Sequence, residues 1–308
     1  MKNSVLLIVL VALLIPYFHS NSEAISVAEI VIPFQFQDAR PFSDGIAAVK
    51  KEGKWGYIDR LGQWIVQPQY AFSIGDYSSG LAFIGNQFFN TSGDVAFGET
   101  KYENARNFSP KGKNALAAVQ VSGQWGFIDL NGEFVISPKY DNAGDFTDGG
   151  DGASLAPVKV GGIWGYVDRR GRELIMSNFD YAWSFAGEIA AVMVEGSVGY
   201  INRTGVYAIN PQFVHGGAFR NGRAPVRVGN KTGYINDRGR MVIPAMYHDG
   251  GEFNDGLAPV ATDSRWGYIN ISGNIVIPPL YDNARQFTEG LAAVEQDGLW
   301  GYIRYKNF

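Results

Sequence analysis

Trp266-Gly267-Tyr268-Ile269-Asn270 is one of seven versions of a single phrase in this 308-residue chain. The others are Trp55-Gly56-Tyr57-Ile58-Asp59, Trp125-Gly126-Phe127-Ile128-Asp129, Trp164-Gly165-Tyr166-Val167-Asp168, Val198-Gly199-Tyr200-Ile201-Asn202, Thr232-Gly233-Tyr234-Ile235-Asn236 and Trp300-Gly301-Tyr302-Ile303-Arg304. Successive phrase glycines lie 70, 39, 34, 34, 34 and 34 positions apart, so the first gap holds close to two periods. A fixed period of this size marks a repeat architecture, in which a unit buries its apolar face only against its neighbours.

The unit around the quoted phrase reads as strands and turns. Phe253-Asn254-Asp255-Gly256 is a turn, with Gly free to take positive φ. Leu257-Ala258-Pro259-Val260 is a first strand, and Asp263-Ser264-Arg265 connects it to the phrase, whose alternating pattern is that of a second strand. Ile271-Ser272-Gly273-Asn274 is another hairpin turn. Ile275-Val276-Ile277 is a third strand, which Pro278 is expected to end because it has no N–H to donate. Tyr281-Asp282-Asn283-Ala284 then leads to Phe287, which opens the next unit. Each unit is predicted to be a three-stranded antiparallel meander, with no helical periodicity.

Two positions of the phrase behave differently. Glycine is present in all seven, at Gly56, Gly126, Gly165, Gly199, Gly233, Gly267 and Gly301. The preceding Trp55, Trp125, Trp164, Trp266 and Trp300 give way to Val198 and Thr232 in the other two. The glycine is therefore expected to sit where a ring or a backbone leaves no room for a Cβ, and the tryptophan to supply exchangeable packing area. Between Tyr77 and Tyr102 one unit keeps the strand-and-turn pattern, with Gly80-Leu81-Ala82-Phe83-Ile84 and Gln87-Phe88-Phe89-Asn90, but lacks the phrase.

The two ends complement each other. Val31-Ile32-Pro33, Phe36, Ala39 and Phe42 match Val276-Ile277-Pro278, Tyr281, Ala284 and Phe287, the last third of a unit, while the C-terminus stops after the second strand. An N-terminal third strand that completes the last unit closes a ring and leaves no free sheet edge between the ends. The expectation is an all-β, closed, β-propeller-like toroid of eight modules, with an open β-solenoid as the alternative. The modules fall near 42–76, 77–107, 108–145, 146–184, 185–218, 219–252, 253–286, and 287–308 completed by 30–41.

Gly290-Leu291-Ala292-Ala293-Val294 with Leu299-Trp300-Gly301-Tyr302-Ile303, and Lys54-Trp55-Gly56-Tyr57-Ile58, resemble the WG (KWG) β-repeat family of mostly bacterial proteins. The likeness extends from about Ile30 to Ile303. It implies an exported or envelope-associated repeat protein acting as a binding or scaffold surface, and implies no shared catalytic residues or cofactor.

Met1-Lys2-Asn3 followed by an apolar run from Val5 to Tyr17 and the small or polar Ser20, Asn21, Ser22 and Ala24 has the order of a secretory signal, so residues 1–24 are read as a signal peptide and 25–308 as one repeat domain. An uncleaved anchor is the alternative, but the run is short of the roughly 20 apolar residues a membrane span needs. The absence of cysteine excludes a disulfide framework. A net charge of −4 argues against a nucleic-acid partner held through phosphates. No later segment reads as a transmembrane span.

Candidate chemistry is sparse. His215 and His248 lie in successive connections near Asp249 and Glu252, but without metal-ligand spacing they read as turn residues. The acidic, glycine-rich insertion from Asp145 to Gly152 offers oxygen ligands for Ca²⁺ but does not match an EF-hand register. Asp59, Asp129 and Asp168 recur at one position with Asn202, Asn236 and Asn270, directly before a hairpin turn, where such residues satisfy backbone donors. Arg220, Arg223, Arg227, Arg238 and Arg240 in one unit, and Arg169, Arg170 and Arg172 in another, are either a basic patch or exposed turn charges. No nucleophile elbow, phosphate loop or zinc-helix motif is present. The expected function is non-catalytic recognition of a protein or glycan, with no metal or cofactor. Trp64 and Trp183, the two tryptophans outside the phrase, are binding candidates together with Arg220 and Arg223. The alternative is an extracellular hydrolase or lyase acting on polysaccharide.

Overall fold

A short meander has two faces and two edges to cover, and three strands alone cannot cover them. The computed structural model, which describes residues 27–72, 74–109, 111–147 and 154–306, solves this by setting eight antiparallel sheets side by side in chain order. The segment read as a signal peptide lies outside the described residues. Module one holds the strands Asp38–Ala39, Ile46–Lys51, Lys54–Asp59 and Trp64–Tyr70. Module two is the hairpin of Leu81–Ile84 and Gln87–Asn90. Module three runs from Asn104–Ala105 to Phe134–Tyr140, and module four from Asn142–Ala143 to Glu173–Phe179. Module five runs from Tyr181–Ala182 to Tyr207–Phe213. Module six holds Ala224–Val228, Lys231–Ile235 and Met241–Tyr247, and module seven runs from Asp249–Gly250 to Ile275–Tyr281. Module eight holds Asn283–Ala284, Ala292–Gln296 and Leu299–Tyr305. The connecting segment thus adds a two-residue strand to the meander in six modules. There an Asp or Asn carboxamide or carboxylate accepts the next N–H in five of them, as in Asp38 to Ala39 at 2.8 Å and Asn283 to Ala284 at 2.9 Å.

The last sheet is completed by the first strand. Ala28–Phe36 pairs antiparallel with Leu299–Tyr305, placing Ile30 opposite Ile303, Ile32 opposite Tyr302 and Phe36 opposite Trp300. Among the described residues, eight apolar clusters each join one pair of neighbouring modules. One of them joins module eight (Trp300, Tyr302, Leu291) to module one (Phe42, Val49, Ile58), so the ring closes as a β-propeller rather than running on as an open solenoid.

The same aromatic pair recurs at these interfaces. The third phrase residue is fully buried and packs on an aromatic in the opening segment of the next module: Tyr57 on Tyr77, Phe127 on Phe146, Tyr166 on Phe185, Tyr200 on Phe219, Tyr234 on Phe253, Tyr268 on Phe287 and Tyr302 on Phe42, at 4.7–5.0 Å between ring centroids. Module two, without the phrase, puts Phe88 in that place against Phe108 at 5.2 Å. Six tyrosine hydroxyls also donate to a carbonyl of the next module, including Tyr302 to Arg40 O at 2.8 Å across the seam.

The phrase glycine faces the third strand where that strand bulges. Register slips between the partners of Trp125 and Phe127, and a Cβ on Gly126 would lie 2.5 Å from Ile136 O and 2.7 Å from Pro138 N. On Gly56 it would lie 2.5 Å from Val66 O, and on Gly199 2.6 Å from Pro211 N. The obstacle is backbone. Pro278 does not end its strand, which continues to Tyr281; proline sits in the bulge, where ladder pairing is already interrupted.

Gly126→Ala should therefore force a backbone shift costing about 3 kcal/mol or more, whereas Trp125→Phe should cost about 1–1.5 kcal/mol. Urea midpoints of the two variants check this, and the reverse order would contradict the assignment of the glycine.

Candidate binding site at the ring axis

The segment leading to each interface aromatic carries a residue two places before it that decides how the inner wall is built. In modules one, three and eight this residue is Arg40, Arg106 or Arg285, and its guanidinium lies over the phrase tryptophan of its own module: Trp55 at 5.2 Å, Trp125 at 5.5 Å and Trp300 at 4.8 Å. The first strand there carries the small Ala48, Ala118 or Ala293. In modules four, six and seven the residue is Gly144, Gly217 or Gly251, and the first strand carries Pro157, Pro225 or Pro259. A Cβ on those glycines would lie 2.6, 2.7 and 2.8 Å from the proline Cγ. A large residue goes with alanine, and a glycine goes with proline except in module two, where Gly75 lies against the backbone of Phe83.

Module five is different. Trp183 occupies the arginine position and packs into the cluster around Val198, the valine that stands in for the phrase tryptophan. The indole has moved from the second strand to the inner segment. It is held on two sides: Trp183 O accepts the Tyr166 hydroxyl at 2.8 Å, and its ring meets Tyr181 edge-on at 4.6 Å. Tyr181 in turn packs on the buried Trp164 at 5.0 Å.

Residues from modules three to seven line one cavity of about 320 Å³, an arrangement that only the axis of a ring permits. Its wall includes Arg106, Asp145, Trp183, Ser184, Arg220 and Glu252. A neighbouring cavity of about 400 Å³ shares Trp183 and Glu252 and extends over the low wall made by Gly216-Gly217 and Gly250-Gly251, reaching His215, Asp249 and Arg227. Farther round the axis, Lys111 of module three reaches Asp44 of module one at 2.8 Å and Glu289 of module eight at 3.7 Å. This lysine lies on a loop longer than its counterparts, since eight positions separate Phe108 from Leu116 and four separate Phe42 from Ile46.

The carboxylates of the axis are unequally satisfied. Glu252 Oε1 accepts the Ala218 N–H at 2.7 Å, and its Oε2 lies 3.8 Å from Arg220 Nε. Burial pushes the Asp76 carboxyl up, against the pull of Arg40 at 3.3 Å. Burial likewise raises Asp145, with Arg106 opposing, and the buried Oδ1 of Asp145 has no hydrogen-bond partner.

The binding candidates read from the sequence separate here. Trp183 and Arg220 line the axial cavity together. Trp64 instead packs edge-on against Phe36 at 6.0 Å and lies, partly buried, against the core cluster at the ring seam. Arg223 pairs with Arg220 through backbone bonds and donates to Gly222 O at 3.0 Å, as part of a turn. Arg170, Arg172, Arg238 and Arg240 donate backbone N–H groups to the turn residues Asp168 and Asn236. The recurrent Asp and Asn position is a turn cap: Asp59 Oδ1 accepts from Leu61 N and Gln63 N at 2.9 and 2.8 Å, and Asn90 does the same in the module without the phrase. His215, Asp249 and Glu252 border one cavity, but no group of three metal-ligating side chains is gathered among the described residues. The insertion after Thr147 continues through 148–153, outside the described residues, so the calcium reading falls there. The sequence reading placed Asp145 only in the acidic insertion considered for calcium, and the signal for its place at the axis was the pairing of Gly144 with Pro157, which strips the wall beside it.

A profile described as "WG containing repeat" matches residues 28–55, 55–85, 125–162, 164–197, 199–231, 233–265 and 266–300. The chain belongs to the WG-containing repeat family. The unmatched stretch between 85 and 125 holds the second strand of the phrase-less hairpin and the start of module three. No curated protein matches this WG-repeat chain in sequence. Among solved structures, a eukaryotic initiation factor is similar at a TM-score of 0.55 and 12% identity, over 85% of this chain and 82% of that one. A streptogramin B lyase is similar at 0.47 and 13%, over 90% and 97%. A virginiamycin B lyase from Staphylococcus aureus is similar at 0.46 and 14%, over 90% and 99%. Identities this low speak to the fold alone.

A carboxyl whose folded pKa is raised contributes stability at low pH, and that contribution is lost as pH rises from the unfolded value through the folded one. Asp145→Asn should therefore raise Tm at pH 7 and leave it unchanged at pH 3, where both states are protonated. Calorimetry at the two pH values checks this; a lower Tm at pH 7 would mean that the ionised carboxylate is well paired.

Proposed function

We propose that this WG-repeat protein is an exported, non-catalytic recognition module that takes a protein or glycan ligand at the axial face around Trp183 and Glu252. The observation that supports this most is the cavity built by five modules around the displaced Trp183, beside a carboxylate whose buried Oδ1 has no hydrogen-bond partner. A repeat ring needs no such departure for stability, and an unpartnered buried polar atom lowers it. The recurrent carboxylates accept backbone N–H groups in turn caps, which supports a structural role for them. Export rests on the order of charges, apolar residues and small residues in the first 24 positions.

The competing reading is a hydrolase or lyase acting on an extracellular polysaccharide. It draws on Asp145 and Glu252 lining one cavity, but Glu252 is engaged with a backbone N–H and with Arg220, the arrangement of a fixed acceptor. A glycan array and a pulldown from envelope extract with the purified protein, scored for both binding and product release, decide between the two. Saturable binding without turnover is expected. Release of shortened product would contradict the proposal.

A further inference from the structure

The recognition reading leaves the ligand's chemistry open, and the axial cavity narrows it. We propose that the cavity takes the terminal residue of a neutral sugar chain, stacked on Trp183 and hydrogen-bonded by Asp145, Glu252 and Arg220. This inference rests on the reading given under Proposed function.

The balance of charge argues for a neutral guest. Two cations, Arg106 and Arg220, and two carboxylates, Asp145 and Glu252, line the wall, so no net charge selects an ion. Arg106 is already engaged: its Nε donates to Ala143 O at 2.5 Å and its guanidinium lies over Trp125. What remains unsatisfied is made of oxygen atoms. Asp145 Oδ1 and Thr147 Oγ1 are buried, border the cavity and have no hydrogen-bond partner. A sugar hydroxyl both donates and accepts, so adjacent hydroxyls answer a carboxylate and a threonine hydroxyl at once.

The aromatic side of the cavity supplies the second requirement. Trp183 is partly exposed, and its ring is braced by Tyr181, itself braced by Trp164, so a flat apolar surface is available without further ordering of the side chain. The C–H face of a pyranose matches a fixed indole in size and polarity. The cavity, about 320 Å³, falls at the lower end of the roughly 300–1,000 Å³ range of small-molecule sites, which suits the end of a chain rather than its middle. A peptide in extended form would instead seek a free sheet edge or a row of apolar pockets. The wall offers mixed polar groups and an aromatic side made by Trp183 with Trp164, Tyr181 and Phe185.

The test uses the full purified chain and an array of neutral oligosaccharides, acidic oligosaccharides and peptides, followed by titration of the best neutral binder. The expected result is saturable binding of neutral oligosaccharides, with Trp183→Ala weakening it about ten-fold or more and Trp183→Phe retaining most of it. Asp145→Asn and Glu252→Gln should each weaken it as well, with circular dichroism and Tm showing that every variant is folded. Trp64→Ala, which alters the seam and not the axis, reports on general destabilisation. Binding of peptides or acidic glycans in place of neutral ones would overturn the sugar assignment while leaving the recognition reading standing. Neutral-sugar binding unaffected by Trp183→Ala and Asp145→Asn in folded protein would overturn the site. Product release from a bound oligosaccharide would overturn the recognition reading itself.

Discussion

The ring depends on one contact made eight times over. An aromatic side chain from the second strand of each module meets an aromatic from the segment that opens the next, and in six cases its hydroxyl also satisfies a carbonyl on that segment. Burial raises these tyrosine hydroxyls well above their ordinary pKa, so they remain protonated donors throughout the physiological range. The contact joins modules and not strands, which explains why no single unit could stand alone. It also explains the tolerance of module two. With the phrase gone, Phe88 still fills the aromatic position and Asn90 still caps the turn, while Tyr77, Ala82, Ile84 and Leu81 pack on the neighbouring modules.

Glycine makes this geometry possible from behind. The second strand must lie close under a bulged third strand for its aromatic to point into the interface, and a Cβ at the phrase glycine would strike the bulge's own backbone. The tryptophan before it has no such constraint. Val198 and Thr232 replace it with the same strand pairing, opposite Phe213 and Tyr247.

Much of this was open to a reader of the sequence alone. The constancy of glycine beside the variability of tryptophan forecast a backbone obstacle, and the Asp or Asn before each second turn forecast a cap. The matching of the two ends forecast closure. Other features depended on contacts between distant residues and were hidden. Trp64 stood out because it fell outside the phrase, and the N-terminal strand brings Phe36 against it at the seam, where it is partly buried. Trp183 stood out for the same reason, and here the surroundings leave it partly exposed at the axis. The exchange of arginine with alanine for glycine with proline was present in the sequence. Its meaning emerges only when the two positions are seen in contact, because they belong to different strands and the rule is steric.

The axis is thus the place where regularity is given up. Arginine over tryptophan seals the wall in modules one, three and eight, and glycine under proline lowers it in four, six and seven, leaving Trp183 between two low walls. A cavity arises from these departures and from nothing in the repeat itself, which fits a ring whose scaffold is general and whose site is particular.

All of this requires that the ring be closed by the N-terminal strand. Native-state hydrogen exchange at the amides of Ala28–Phe36 and Leu299–Tyr305 tests that requirement most directly. Closure predicts that amides paired across this seam exchange as slowly as those in the central strands of modules six and seven, through global unfolding alone. Exchange at the rate of a fraying terminus, with the rest of the ring protected, would show an open array and contradict the account.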